Sequence, residues 1–354
     1  MSATSQEDLL GFVSSFSGGD GLRVEETLGD GFVRLRIAEA ERRQAKHDIR
    51  CVEDAVIELL RNARDAGASR IFVGTAREGN VRTLIVVDDG TGIPPALHER
   101  VFDARVTSKL DTMQMDRWGV HGRGMALFSI RENAMSARVM ASEVGKGCAM
   151  RIVFDVSELG ERADQSTWPQ LVRANGKEVV RGPHNIYRTC VEFALEERGR
   201  CNVYVGSPSE TLSTMRVRMP VGFSEGVGMQ DVLVAQRAAQ ALDARELSAV
   251  ARDLGIEISE RNAHRVIKGD IAPLRNAAAV VCGTSAGTRR SAPRLDANER
   301  KLALSKEDEQ ALQVALEKAF EIVGERYYVR LVAKPTLRMT PGHLTVGFDF
   351  VEDE

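Results

Sequence analysis

The stretch from Glu58 to Ala68, Glu-Leu-Leu-Arg-Asn-Ala-Arg-Asp-Ala-Gly-Ala, constrains this chain more than any other part of it. Positions four and seven apart share one face of a helix, so Glu58, Asn62 and Asp65 are expected to project together. The opposing face is apolar and consists of Val52, Ala55, Val56, Leu59, Leu60 and Ala63. Because that face would hold the helix to a core, the polar face is left available for a ligand.

A second polar motif follows after a short hairpin. Leu84–Val87 is an unbroken apolar run, typical of a strand buried on both faces, and it brings Asp88 to its end. Gly90 and Gly92 then allow the backbone to approach a ligand closely. A solvated surface helix followed by an ordinary turn is the alternative, but such a helix would favour Lys and Glu over the amide of Asn62. Together the two motifs predict a nucleotide site.

These motifs resemble those of the Bergerat-fold, or GHKL, ATPases. The helix matches the Glu-x-x-x-Asn-x-x-Asp-Ala box of that family, and Asp88–Gly92 matches its Asp-x-Gly-x-Gly box. Among its members, topoisomerase VI B subunits and MutL-type repair proteins are the most similar in motifs. The resemblance implies an α+β fold with an α/β sandwich ATPase domain, and Mg²⁺-dependent binding and hydrolysis of ATP.

The resemblance also implies roles for individual residues. Glu58 would be the catalytic group that polarises the attacking water, and Asn62 would hold the Mg²⁺ ion. Asp88 would accept a hydrogen bond from the adenine amino group, while Asp65 and Gly92 would support the base through bound water. The other expected cofactor-binding positions of this turn are Gly90 and Ile93.

The phosphate end of the site is expected between residues 104 and 127. Thr107-Ser108-Lys109 resembles the lid entrance of MutL-type and topoisomerase VI-type members. Three glycines then run into an apolar helix at Met125–Ile130, and a glycine-rich turn at a helix N-terminus offers N–H groups to phosphate. We interpret His121 as a lid residue rather than a catalytic base. The expected phosphate-end residues are Thr107, Ser108, Lys109, Gly119, Val120, His121, Gly122, Arg123, Gly124 and Met125.

Two strands are predicted at Ser136–Ser142 and Cys148–Val156. The family closes its sheet with a strand carrying Gly-Thr-x-Val-x-Phe, whose threonine contacts the adenine side of the site. Gly147-Cys148 has the glycine but lacks the threonine, whereas Arg188–Phe193 has Thr189 but lacks the glycine. We favour Thr189, because topoisomerase VI-like members insert an extra hairpin before that strand.

The sequence pattern and the family resemblance together imply four segments. Residues 1–30 are expected to be a flexible N-terminal segment, 31–205 the GHKL domain, 206–290 a helical module with a linker, and 291–354 a small αββ unit. The αββ unit would be a reduced form of the transducer domain that follows the ATPase domain in topoisomerases and MutL. Its Lys334 is either an ordinary surface lysine or a group that reaches the γ-phosphate.

The helical module should open at Ser207–Glu210 and continue as helices over 231–242, 244–254 and 259–268. The segment 254–265 has a helix-turn-helix pattern. It is either a plain connector or a DNA contact made by Arg261, His264, Arg265 and Lys268. In the terminal unit, a helix from Ser305 to about Val323 should precede strands at Tyr327–Val332 and Leu344–Val351.

Composition narrows the class of protein. The chain of 354 residues has no uninterrupted apolar run of membrane length and no basic, apolar leader, so we expect a cytoplasmic protein without a membrane partner. Its five cysteines are scattered singly, which favours reduced thiols over disulfides or zinc ligands. A formal net charge of −3 gives no global attraction to nucleic acid.

The predicted function is an ATPase that uses nucleotide to switch conformation or to form a homodimer, with DNA or another protein as its partner. One alternative is a non-hydrolysing, chaperone-like module, against which the carboxylate of Glu58 argues. Another is a histidine kinase. Its phosphoacceptor histidine on an upstream helix is missing, since the upstream pair His47-Asp48 lies too close to the site helix.

Overall fold

A computed structural model of the chain describes residues 24–35, 39–107, 114–116, 119–121, 124–174, 177–219, 228, 231–282, 306–327, 329–340 and 343–352. In chain order the strands are β1 (Val24–Gly29), β2 (Phe32–Leu35), β3 (Arg70–Glu78), β4 (Val81–Asp88), β5 (Val106–Thr107), β6 (Gln114–Asp116), β7 (Gly119–His121), β8 (Ser136–Ser142), β9 (Cys148–Asp155), β10 (Gln170–Ala174), β11 (Lys177–Arg181), β12 (Asn202–Gly206), β13 (Val329–Leu331), β14 (Thr336–Thr340), β15 (His343–Gly347) and β16 (Phe350–Glu352). The α-helices are α1 (Glu39–Asp48), α2 (Val52–Asp65), α3 (Ala126–Asn133), α4 (Ile186–Glu196), α5 (Pro208–Arg218), α6 (Arg237–Gln240), α7 (Ala244–Asp253), α8 (Glu260–Ile267), α9 (Ala277–Cys282) and α10 (Lys306–Tyr327).

The chain divides into two compact units, the first ending at Ser285 and the second beginning at Ala286. Among the helices that the structure describes, none has both the length and the apolar character that crossing a membrane requires. The five cysteines are free thiols, as expected.

A five-stranded mixed sheet forms the centre of the first unit. Its strand order is β12-β3-β4-β9-β8, with β12 parallel to β3 and the other neighbours antiparallel. The central strand β4 brings Asp88 to its end, where Asp88 is the register partner of Ile71 on one side and Cys148 on the other. The expectation of a buried strand at Leu84–Val87 is therefore confirmed.

Both faces of this sheet are covered. Successive side chains of a strand point to opposite faces, so Leu84 and Val86 pack against one helical layer while Ile85 and Val87 pack against another. The first layer contains α2, α4 and α9. The second layer contains α5, α7 and α8, from the segment that the sequence marks as a helical module. The run Leu84–Val87 of β4 is thus continuously apolar because neither face of the sheet meets water there.

Local signals predicted several elements correctly. The strands β8 and β9 lie where they were expected, and α5 opens with a capping box in which Ser207 and Glu210 bond reciprocally. Helices α7 and α8 also match, with Ser259 as the N-cap of α8. The helix expected over 231–242 is largely irregular, and only Arg237–Gln240 is α-helical.

The strand expected at Arg188–Phe193 is wrong, because these residues belong to α4. The side-chain oxygen of Asn185 caps this helix by accepting a hydrogen bond from the Arg188 N–H at 2.9 Å. The buried residues Ile186, Cys190 and Phe193 recur at helical spacing. Thr189 therefore donates its hydroxyl hydrogen bond within the helix, to the carbonyl of Asn185 at 3.2 Å.

The N-terminal segment also differs from expectation, since Val24–Gly29 forms β1 and pairs with β2. Residues 1–23 lie outside the described part of the chain.

In the second unit a long helix precedes four strands rather than the two expected. Helix α10 is followed by the antiparallel pairs β13–β16 and β14–β15. Phe320 of the helix stacks on Phe348, with ring centroids 5.1 Å apart. Lys334 is exposed in the connection between β13 and β14.

Candidate functional site

A cavity of about 540 Å³ opens in the first unit beside the end of β4. Its walls are the polar face of α2, the turn after β4, Thr107 of β5, residues 124–127 at the start of α3, and two residues of β9. Glu58, Asn62, Asp65 and Asp88 all line this one cavity. The two sequence motifs are therefore brought together, as the nucleotide-site interpretation requires.

Helix α2 supplies most of the polar wall. Its apolar face is buried in the core, with Val52, Val56 and Leu60 fully inaccessible. On the cavity side, Arg61 donates a hydrogen bond from Nη1 to Oε1 of Glu58 at 2.6 Å. The amide nitrogen of Asn62 is buried and has no hydrogen-bond partner among the described residues. An unpaired buried amide is costly, so this part of the wall is suited to a polar ligand.

The deep end of the cavity contains a buried carboxyl group. Asp88 is 7% exposed, and its Oδ1 accepts a hydrogen bond from the Gly90 N–H at 2.9 Å. Burial raises the pKa of Asp88 to about 7, and the Gly90 hydrogen bond opposes that rise. A carboxyl in this environment can accept a hydrogen bond from a ligand, and it is the stronger acceptor once it is ionised.

The neighbouring carboxylate, Asp89, points away from the cavity and anchors the chain. It accepts hydrogen bonds from the backbone N–H of Ser69 at 2.7 Å and of Arg70 at 2.8 Å. It also accepts one from the Ser69 hydroxyl at 2.7 Å. Asp89 thus ties the end of β4 to the start of β3, and Asp88 is free to serve the cavity.

The glycines of the turn after β4 are there because side chains would not fit. A Cβ on Gly90 would lie 2.8 Å from the carbonyl oxygen of Ala66, and Gly90 itself does not line the cavity. Gly92 has a φ of +70°, and a Cβ there would clash with the Glu143 carbonyl. The backbone N–H of Ile93, which does line the cavity, donates to the hydroxyl of Ser142 at 2.7 Å.

At the other end of the cavity, β5 meets the start of α3. Thr107 is buried and lines the cavity with Gly124 and Met125. Gly124 has a φ of +66°, and its carbonyl accepts a hydrogen bond from the Arg105 N–H at 2.9 Å. Met125 is the N-cap of α3, and its side chain makes no capping hydrogen bond.

The remaining lid residues are only partly described. Gly119, Val120 and His121 form β7, which pairs with β6. Four further expected site residues, Ser108, Lys109, Gly122 and Arg123, lie outside the described residues.

Thr189 does not line the cavity, because it is in α4. The expected cofactor contact by Thr189 is therefore wrong. Cys148, the alternative considered, is the residue that lines the cavity beside Asp88. Burial raises the pKa of its thiol well above the ordinary value.

Sequence reasoning missed Arg61 as a residue of the site. Its position three residues after Glu58 was the available signal, since residues at that spacing meet on a helix.

Among the described residues, more acidic than basic groups line the cavity. They are the carboxyl groups of Asp48, Asp54, Glu58, Asp65 and Asp88 and the guanidinium groups of Arg50 and Arg61. A polyphosphate bound against this part of the wall would need additional positive charge. The described residues contain no cluster of three or more His, Cys, Asp or Glu side chains suited to a metal. One amide oxygen at Asn62 does suit Mg²⁺, which commonly takes few protein ligands and completes its shell with phosphates and water.

Comparison with known proteins agrees with this geometry. Residues 47–158 match the family model described as "Histidine kinase-, DNA gyrase B-, and HSP90-like ATPase". That range contains α2, β4, the turn after it, and the start of α3. Residues 47–158 are a GHKL ATPase domain.

The GHKL domain is similar to part of several MutL proteins. It is 42% identical over 83 residues to the DNA mismatch repair protein MutL of Thermus thermophilus, covering 23% of this chain and 15% of that protein. The MutL of Acidiphilium cryptum is 42% identical over 102 residues, covering 28% and 17%. The MutL of Rhizobium meliloti is 39% identical over 106 residues, covering 29% and 17%. The match thus spans less than a fifth of these relatives.

Proposed function

We propose that this chain binds ATP in the cavity between α2 and the end of β4, here called the α2 cavity. It would hydrolyse ATP with Mg²⁺ and use the nucleotide to switch conformation or dimerise. The observation that carries the proposal is that Glu58, Asn62 and Asp88 line a single cavity within the GHKL domain. The similarity to MutL proteins supports an ATP-dependent function in general.

The two ends of the cavity suit the two ends of ATP. Asp88, buried at the end of β4, would accept a hydrogen bond from the adenine amino group. Asp65 and Gly92 would support the base through water, and Gly90 and Ile93 would shape the turn around it.

The phosphates would lie toward Thr107 and the start of α3, where Gly124 and Met125 line the cavity. Bound Mg²⁺ would neutralise phosphate charge and order the attacking water, and Asn62 is the residue that would hold it. Ser108, Lys109, Gly122 and Arg123, with β7, complete the proposed phosphate contacts.

Hydrolysis in such a site depends on positioning and charge neutralisation. Glu58 is one turn before Asn62 on the same face of α2 and lines the same cavity, so its carboxylate is available to a water that enters the phosphate end. Glu58 would act as the general base.

Two substitutions test this assignment. Glu58→Ala should bind ATP nearly as well as the parent but hydrolyse it about a hundred- to ten-thousandfold more slowly, the scale of a general base. Asn62→Ala should lose Mg²⁺-dependent binding as well as turnover. Calorimetry would measure binding, and phosphate release would measure turnover.

Glu158→Ala removes an exposed carboxylate outside the cavity and serves as the control. A parent protein without turnover, or a Glu58 variant as active as the parent, would contradict hydrolysis. It would favour the alternative of a non-hydrolysing, ATP-dependent interaction module.

The exposed basic side chains of α8 favour DNA as a partner. Arg261, His264 and Arg265 of α8 and its C-cap residue Lys268 follow helical spacing, and all four side chains are exposed. Within the described part of the chain, none of these four side chains forms an ion pair. The opposite face of α8 is fixed to the core by Ala263 and Val266. An unpaired basic row on a firmly packed helix suits the phosphates of a DNA duplex.

A further inference from the structure

We propose that Arg61 positions Glu58 for catalysis. This inference rests on the proposed ATP hydrolysis and adds a positioning residue to it. Arg61 and Glu58 are one turn apart on α2, and both line the cavity. The guanidinium Nη1 lies 2.6 Å from Oε1 of Glu58, which is a short, charge-assisted hydrogen bond.

Burial makes this ion pair persistent. The side chain of Arg61 is 3% exposed, and that of Glu58 is 21% exposed. A guanidinium group stays charged at any physiological pH, and a buried charge is strongly disfavoured without its partner. The hydrogen bond from the arginine therefore restrains the rotamer of Glu58 at the cavity wall.

This restraint matters for a general base. The base must lie within hydrogen-bonding distance of the water that it activates, and a displacement of about 1 Å costs roughly a hundredfold in rate. Arg61 acts on the reaction through Glu58. Binding of the adenine, by contrast, depends on Asp88 at the other end of the cavity. Loss of Arg61 should therefore lower kcat and leave KM for ATP nearly unchanged.

A double-mutant cycle tests the inference. Arg61→Gln should lower kcat about ten- to a hundredfold, with KM within about twofold of the parent. Arg61→Lys keeps the charge without the planar guanidinium and should retain an intermediate kcat. In the Glu58→Gln background, Arg61→Gln should cause no further loss, because the group through which it acts is already gone.

Arg82→Gln is the matched control. Arg82 is also a buried arginine, and its Nε donates to Glu161 at 2.7 Å, but it does not line the cavity. Its loss should lower the melting temperature while kcat stays unchanged. Melting temperatures of all variants separate loss of folded protein from loss of positioning.

Three results would overturn the inference. A higher KM with unchanged kcat would make Arg61 a nucleotide-binding residue. An additive loss in the double variant would mean that Arg61 acts independently of Glu58. Unfolding of both Arg61 variants, with Arg82→Gln folded, would assign Arg61 a structural role. Failure of the proposed function itself would be visible separately, as absent turnover in the parent or full turnover in Glu58→Gln.

Discussion

Two adjacent carboxylates, Asp88 and Asp89, perform different tasks because a strand sends successive side chains in opposite directions. Asp88 faces the cavity and has one backbone hydrogen bond, from Gly90. Asp89 accepts hydrogen bonds from Ser69 and Arg70 and fixes the strand ends. The sequence motif contains both residues side by side, and only the structure separates the ligand-binding group from the anchoring group.

Asp88→Asn should weaken ATP binding about ten- to a hundredfold. The carboxylate accepts a hydrogen bond from the adenine amino group, and loss of one hydrogen bond to a charged group in a buried site costs about 1.5–3 kcal/mol. Calorimetric titration with ATP measures the change. The adjacent Asp89→Asn is the control: it should lower the melting temperature with ATP affinity retained. Equal affinity of the parent and Asp88→Asn would remove Asp88 from the site.

The pKa of Asp88 also predicts a pH dependence. Burial raises this pKa to about 7, so below that pH the carboxyl is largely protonated and is a weaker acceptor for the adenine amino group than the carboxylate is. ATP affinity should therefore rise as pH increases through about 7, by roughly tenfold between pH 6 and pH 8 for a single proton. Since the phosphates of ATP titrate in the same range, adenosine binding is the cleaner measurement. Asp88→Asn should show a flat profile, and an equally steep profile in that variant would assign the proton elsewhere.

At the scale of elements, helix α8 combines a buried face with an exposed basic row. Exchanging Arg261 and Arg265 for Glu should weaken binding to duplex DNA and reduce its dependence on salt, because the slope changes by about one for each phosphate that is no longer neutralised. Fluorescence anisotropy at several salt concentrations measures both quantities.

The control for this exchange is Arg173→Glu with Arg181→Glu. These exposed arginines of the β10–β11 hairpin give the same change of net charge at another place in the first unit. If both double variants lose DNA binding equally, the attraction comes from overall charge and α8 is a structural connector.

The elements that were predictable carry strong local signals. Helix α2 has a full apolar face, β4 has a continuous apolar run, and α5 and α8 have serine N-caps. The segment 186–196 was missed because a short apolar run fits a strand and a helix equally well. The N-cap residue Asn185 favours the helix. Its amide is held by hydrogen bonds that it donates to the backbone carbonyls of Asp164 and Thr167 in a distant loop, and these contacts are visible only in the structure.

The part of the candidate site that lies on a single helix was predictable from the sequence. Glu58, Asn62 and Asp65 share a face by helical periodicity alone. Cys148 reaches the cavity through the pairing of β9 with β4, and the register between two strands does not follow from either sequence separately. The spacing of Glu58 and Arg61 allows them to meet on α2, but the burial of the pair depends on how α2 packs, which is a property of the whole fold.

At the scale of the whole molecule, the proposed cycle couples ATP to dimerisation. Glu58→Ala would bind ATP without hydrolysing it, so this variant should accumulate the closed, ATP-bound dimer. Light scattering with and without ATP would show the mass doubling. The parent should return to its starting mass as ATP is consumed. A constant mass in both proteins would leave a conformational switch within one chain as the role of the nucleotide.

The helices that cover the second face of the sheet also set the limits of autonomous folding. The range that the family model matches, 47–158, lacks β12 and all of α5 to α8. A fragment cut at residue 158 would expose Phe72, Ile85 and Val87 to water, together with an unpaired edge of β3. We therefore expect the smallest piece of this chain that folds by itself with the α2 cavity to be longer than the range that the family model matches.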